Sequence, residues 1–272
     1  MVRKNTAKGH APKGRTRGRG KTKRTSRWSA RRIIGCVVSV IFFMVLWSYL
    51  SPSTWRAFKS WTHVDDIIPT SSEYDGIDVS KHQGKIDWAE VAKDKNIQFV
   101  YIKATEGRSM LDRRYHENIR GAREAGLKVG SYHFFMSRRT AREQFDNFRK
   151  HVDPSQQDLI PMVDVEESGC RRASRADLQK NLSEFMELMK DEYGCYPLLY
   201  SQYRFYNQKL APEFNKYFIF MARYSSSEPV LHGKGKHNIW QYTERGKVRG
   251  IKGHVDLDRF VNGTTFDDIK WR

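Results

Sequence analysis

The sequence is poor in cysteine, with three in 272 residues, and that scarcity excludes a scaffold built on disulfides. Cys36 lies in an apolar run, leaving Cys170 and Cys195 as the one pair that oxidation can join. A helix of about 17 residues is expected between them and sets them roughly 20 Å or more apart. A disulfide requires Cα atoms within about 7 Å, so none is expected. Neither cysteine has a Cys or His at zinc-ligand spacing, and neither a metal site nor a cofactor is predicted. Acidic residues are missing from positions 1–32, which carry thirteen Lys and Arg. The formal net charge of +18 is therefore concentrated in a tail, and the remaining chain has 36 basic against 31 acidic residues. A segment that mixes charge with Gly, Thr, Ser and Pro has no apolar surface to bury, and residues 1–32 read as a disordered tail.

Charge of either sign is missing from Ile33 to Leu50, eighteen residues in all. A helix of that length reaches about 27 Å, close to the roughly 30 Å of a bilayer core. Trp47 and Tyr49 lie at its far end and the flanking positive charge at its near end, which orients the amino terminus to the cytoplasm and exports the chain beyond residue 50. No Ala-x-Ala site comes after it, and the basic region is long for a cleaved signal peptide, so residues 33–50 are expected to be an uncleaved single-pass anchor. The tail then serves as an orientation signal that touches anionic lipid headgroups, in preference to binding nucleic acid through phosphate neutralisation. Residues 51–73 read as a juxtamembrane linker, with Trp55, Phe58 and Trp61 at three-residue spacing and Pro69 near its end.

From residue 74 to 272 short apolar strands alternate with helical segments. Strands are expected at 76–80, 99–104, 127–134, 159–164, 197–200, 217–222, 239–242 and 255–260. Helices are expected at 87–95, 112–125, 141–151 and 174–193, the last capped by Ser174 and stopped by Gly194. Alternation of this kind specifies a parallel α/β sheet, and eight strands suggest closure into a barrel. The 199 residues available are short against the roughly 250 of eight full units. The final third is therefore expected to be mostly strands and loops.

Chemistry is concentrated in Leu159–Ser168, where an apolar run leads into Asp164-Val165-Glu166. In a strand the two acids share one face, with Val165 on the other. Such a pair suits acid/base work on a glycosidic bond, where one carboxyl keeps its proton and the other stays charged. Asp78 sits near the end of the first strand and Asp256 in the last, and these strands are neighbours in a closed barrel. Four carboxyls then converge on the mouth where such barrels place active sites. Tyr132, Phe134, Tyr200, Trp240 and Gln241 at other strand ends are expected to line the same cleft, aromatic faces being suited to sugar rings.

The segment Tyr74-Asp-Gly-Ile-Asp78-Val-Ser-Lys-His-Gln-Gly84-Lys-Ile-Asp-Trp88 resembles the opening signature of the glycoside hydrolase family 25 lysozymes, the Chalaropsis-type N-acetylmuramidases. Further matches come in family order. They are Phe99-Val-Tyr-Ile-Lys-Ala-Thr-Glu-Gly107, Ala125 through Phe135, Asp164-Val-Glu166, Met221-Ala-Arg-Tyr224, and Ile239-Trp-Gln-Tyr242 with Gly250 through Phe260. The resemblance implies an irregular TIM-like barrel of eight strands with about five helices, here preceded by a single transmembrane helix. It also implies hydrolysis of the β-1,4 bond between N-acetylmuramic acid and N-acetylglucosamine in peptidoglycan glycan strands. By position, Glu166 corresponds to the catalytic acid and Asp164 to its partner, with Asp78 and Asp256 completing the acidic set. Lys103, Glu106 and Arg223 fall in the matched motifs as substrate-binding candidates. One departure is visible: the family usually has Val-Asp-Leu-Asn where this chain has Val255-Asp256-Leu257-Asp258; the added carboxyl is expected to point outward and matter little, whereas an inward one would raise neighbouring proton affinities. The alternatives to a muramidase are a non-catalytic wall-binding module on a membrane stalk, a divalent-metal hydrolase, and an enzyme for chitin-like polymers.

Overall fold

A computed structural model of the chain describes residues 73–271 together with Val38, Ser39 and Phe43, which are helical and exposed. The expectations for the tail, the anchor and the linker otherwise lie outside the described residues. Among those residues no helix is long and apolar enough to cross a membrane.

Eight strands close into a ring: β1 (Gly76–Val79), β2 (Phe99–Glu106), β4 (Val129–Phe134), β5 (Met162–Asp164), β6 (Leu198–Gln202), β7 (Ile219–Ala222), β8 (Ile239–Gly246) and β9 (Val255–Phe260). A two-residue strand, β3 (Met110–Leu111), folds back on the end of β2. Closure comes from β1, which pairs in parallel with β2 and antiparallel with β9. The antiparallel last strand departs from the all-parallel expectation. Only residues 247–254 separate β8 from β9, whereas a parallel crossover takes a dozen or more residues, so the chain turns straight back.

The consequence is functional. Reversal brings the beginning of β9, with Asp256, to the end of the barrel where β1, β2 and β4–β8 finish.

Side chains alternate through the wall with a period of two. Phe99 and Tyr101 of β2, Met162 of β5, Tyr200 of β6 and Phe220 of β7 fill the barrel interior. Their neighbours Val100, Ile102, Val163, Leu199 and Met221 face outward into the layer beneath the helices. Gly76 and Gly130 are required by this filling: a Cβ would stand 2.3 Å from the Phe99 ring at Gly76 and 2.5 Å from the Tyr101 ring at Gly130.

Seven helices surround the ring, against about five expected: α1 (Trp88–Val91), α2 (Tyr115–Glu124), α3 (Ala141–His151), α4 (Glu167–Cys170), α5 (Arg175–Tyr193), α6 (Tyr203–Lys209) and α7 (Phe266–Ile269). The three beyond the four placed in the sequence are α4, α6 and α7, each too short to show an amphipathic repeat. The segment expected as a helix over 87–95 makes one turn only, opened by the Asp87 side chain accepting from the Glu90 amide. Ser174 caps α5 and Gly194, at φ 74°, ends it as the sequence indicates. Between Ala222 and Ile239 there is a single 3-10 turn, His232–Lys234, in keeping with a final third of strands and loops. Cys170 and Cys195 are free thiols.

Candidate active site

A cleft of about 320 Å³ opens at the shared mouth. Asp78 (β1), Asp164 (β5) and Asp256 (β9) line it from the strands, with Glu166 at the start of α4. Asp78 and Asp256 are directly opposed across the β1–β9 pair, where Cα atoms stand about 4.5–5.5 Å apart. Tyr132 lines the same cleft, and burial, followed by the charges of the four acids, holds its proton well above the usual tyrosine range.

Burial and mutual repulsion decide which acids stay ionised. Burial raises Asp78 to about 7, partly offset by the Gln241 amide and reinforced by Glu166. Asp256 is raised to about 9 by burial, then by Asp78, Glu244 and Glu166. Asp164 is pushed far above an ordinary carboxyl by burial and by Glu166 beside it. Its Oδ1 is buried and accepts no hydrogen bond. Glu166 is also raised by burial, though a hydrogen bond from the Ser168 hydroxyl (3.2 Å) and the Lys103 charge act the other way. Asp256 thus keeps its proton at neutral pH, and burial favours the protonated form of Asp164 and Glu166 as well.

Gln241 is the fixed point of the cleft. Its amide nitrogen donates to Asp78 Oδ2 (2.6 Å), and its carbonyl accepts from Tyr200 (2.9 Å) and Tyr224 (2.8 Å). Two hydroxyl donors on one oxygen fix which way the amide points, so Asp78 always meets an N–H. Lys103 lies on the same wall, 2.9 Å from Glu106 and 4.4 Å above the Phe134 ring.

Of the site residues expected from sequence, Asp78, Asp164, Glu166, Asp256, Lys103, Tyr132, Phe134, Tyr200 and Gln241 border the cleft. Three do not. Trp240 is wholly buried in the outer layer, its indole N–H on the Arg223 carbonyl (2.8 Å) and the Arg259 guanidinium over its ring. Since Gln241 faces the interior, period-two alternation sends Trp240 to the other side of the wall. Arg223 lies over the Tyr203 ring and donates to the Glu228 carbonyl, away from the cleft. Glu106 acts from one step back, as the partner of Lys103.

Asp258 corrects a further expectation. It points inward, is fully buried, and both carboxyl oxygens lack a hydrogen-bond partner. It shares a face of β9 with Asp256, and burial followed by the charges of Asp78 and Asp256 drives its proton affinity well above the usual range.

Sequence reasoning missed Ser80, His82, Gln83, Tyr224 and Glu244, all of which line the cleft. Ser80 and Gln83 form a capping box on the 3-10 turn Lys81–Gln83, which carries His82. The Ser-x-x-Gln spacing is a legible capping signal. Tyr224 is legible too, since it continues the inward parity of Phe220 and Ala222. Glu244 is not, because register shifts in β8 after Gln241 break the alternation. Among the described residues no group of three or more His, Cys, Asp or Glu is arranged to hold a metal ion.

The sequence profile described as Glycosyl hydrolases family 25 matches residues 77–251. The uncharacterized protein YegX of Escherichia coli strain K12 is 39% identical over 201 residues, covering 72% of this chain and 72% of that protein. An autolytic lysozyme of Clostridium acetobutylicum is 30% identical over 188 residues, covering 69% of this chain and 56% of that protein. A solved family 25 glycosyl hydrolase from Bacillus anthracis superposes with a TM-score of 0.66 at 30% identity, covering 74% of this chain and 94% of that one.

Proposed function

The chain belongs to glycosyl hydrolases family 25, and from that premise we propose how its cleft cuts peptidoglycan. It is a glycoside hydrolase of the lysozyme type, acting on the β-1,4 bond between N-acetylmuramic acid and N-acetylglucosamine. The observation that carries the mechanism is that Asp78, Asp164, Glu166 and Asp256 all line one sugar-sized cleft.

In the proposed mechanism Glu166 donates its proton to the glycosidic oxygen as the bond to the anomeric carbon breaks. Asp164 accepts from the N–H of the substrate's own acetamido group, whose carbonyl oxygen attacks that carbon. Water then opens the resulting ring and returns a proton to Glu166, with net retention. This substrate-assisted route lies outside the two-carboxylate scheme. The unsatisfied Oδ1 of Asp164 supports it, because a buried acceptor gains most from a partner that arrives with substrate. Binding would also move a proton. A hydrogen bond to ionised Asp164 favours its charged form, so the proton passes to Glu166, where the leaving group needs it. Asp78 and Asp256 position the sugar, with Gln241 holding Asp78 in place.

We further assign residues 33–50 to a membrane anchor and residues 1–32 to the cytoplasmic side, touching anionic headgroups, with the catalytic domain exported. The support is the uncharged run and the placement of the thirteen basic residues ahead of it.

The test is Glu166→Gln, a change of one atom type at a half-buried position. Turnover of purified cell wall should fall about 10²–10⁴-fold or more, the range lost with a general acid, while the circular dichroism spectrum is unchanged. Undiminished turnover removes Glu166 from the acid role.

A further inference from the structure

The cleft is acidic, yet the surface along one side of it is basic. Beyond Phe134 and Glu166 three loops meet: the one following β2 carries Arg108, the one following β4 carries Arg138 and Arg139, and the one after α4 carries Arg171 and Arg172. The contacts between them fix their positions. The Gly107 amide donates to the Phe134 carbonyl (3.1 Å), and the Ser137 amide donates to the Gly169 carbonyl (3.2 Å). Asn181 of α5 ties down the Arg139 carbonyl (2.7 Å). Arg142 extends the patch along α3.

These arginines are little neutralised. Arg108 meets Glu143 at 3.9 Å, Arg142 meets Asp146 at 3.7 Å and Arg171 meets Glu167 at 3.9 Å, all between exposed groups. Arg139 shares Glu143 with Arg108, and Arg138 and Arg172 make no ion pair with a carboxylate among the described residues. Pairs this long and this exposed leave the guanidinium groups available to a ligand.

We propose that this arginine rim binds carboxylates carried on branches of the glycan, so that the preferred substrate is a strand bearing peptide stems and not a bare polysaccharide. The inference rests on the muramidase reading above and extends it. An acidic mouth suits uncharged sugar rings and repels a polyanion. A polymer with neutral rings in the chain and carboxylates on side branches satisfies both surfaces at once. Peptidoglycan, whose muramic acid carries a lactyl-linked peptide with free carboxylates, has this distribution. The rim adjoins the mouth through Phe134 and Glu166, which argues against a membrane as its partner, since a bilayer seated there would cover the cleft.

The experiment compares full-length protein with the triple variant Arg108→Gln, Arg138→Gln, Arg172→Gln, one exposed arginine from each loop. The probes are soluble glycan strands of matched length, either with peptide stems or stripped of them by an amidase and then capped as amides at the lactyl carboxylates so freed, titrated by calorimetry at 50 and 500 mM salt. The parent should bind stem-bearing strands about tenfold more tightly than stripped ones at low salt, and less selectively at high salt. The variant should lose that preference while binding stripped strands as before. Equal affinity of the parent for both strands overturns the proposal, as does an equal loss on both strands in the variant. A variant that loses only its affinity for anionic lipid vesicles overturns it in favour of a membrane contact. Hydrolysis is followed in the same samples: selective binding without cleavage counts against the muramidase reading and leaves the rim standing.

Discussion

Holding carboxyls in a desolvated cluster makes the fold less stable as pH rises, and Asp78 allows the effect to be worked through. Its folded proton affinity corresponds to about 7, against an ordinary 3.8. Below pH 4 the native and unfolded chains both hold the proton and there is no penalty. Between about pH 4 and 7 the unfolded chain releases it while the native state keeps it, so stability falls with rising pH until the native group also ionises. Three units at 1.36 kcal/mol each give a ceiling of about 4 kcal/mol. Relaxation around the charge and sharing of protons with Asp256 reduce this, and about 2 kcal/mol is expected for Asp78→Asn. The amide keeps the shape and still accepts from Gln241, so nothing else need be lost. In urea titrations the variant should match the parent near pH 4 and exceed it by about 2 kcal/mol at pH 7.5, or about 4–8 °C in Tm for a domain of this size. Asp258→Asn should show the same sign, because its carboxyl is raised by the same burial and has no partner to lose. The same gain at pH 4 as at pH 7.5, or a destabilised variant at neutral pH, would refute the reasoning.

Two further variants separate the cleft from the wall behind it. Trp240→Phe should leave KM for cell wall unchanged while costing about 1–3 kcal/mol in denaturation, because the indole packs in the outer layer and bonds the Arg223 carbonyl. Gln241→Leu strands Asp78, Tyr200 and Tyr224 together, and kcat should fall about 10–100-fold with a stability loss of about 1–3 kcal/mol. Steady-state kinetics paired with urea melts distinguish the two outcomes.

The parts of the molecule that are legible from sequence are those governed by local rules. Helix α3 spans the expected 141–151 because Thr140 and Glu143 form its capping box, and α5 ends at Gly194 because only a left-handed residue stops it there. The acids are legible because period-two alternation and the neighbouring of first and last strands follow from closure alone. The features that escape depend on geometry with no local sign. The reversal of β9 comes from the shortness of the 247–254 connection, which in the sequence reads only as missing room for helices. Trp240 is misplaced when aromatic type is given more weight than parity beside Gln241. The inward turn of Asp258 follows from the parity it shares with Asp256, a rule available in the sequence and outweighed by the general cost of burying a carboxyl. Glu244 reaches the cleft through irregular register in β8, which no residue pattern announces.

The central claim is that acids from β1, β5, the start of α4 and β9 cut a glycan at the muramic acid linkage, with Glu166 supplying the proton. Its most direct test is the identity of the reducing ends released from purified peptidoglycan by the full-length protein, read by borohydride reduction and mass spectrometry. The account predicts reduced N-acetylmuramic acid at every new end, and none above background with Glu166→Gln. Ends bearing N-acetylglucosamine, or equal release by the variant, would contradict it.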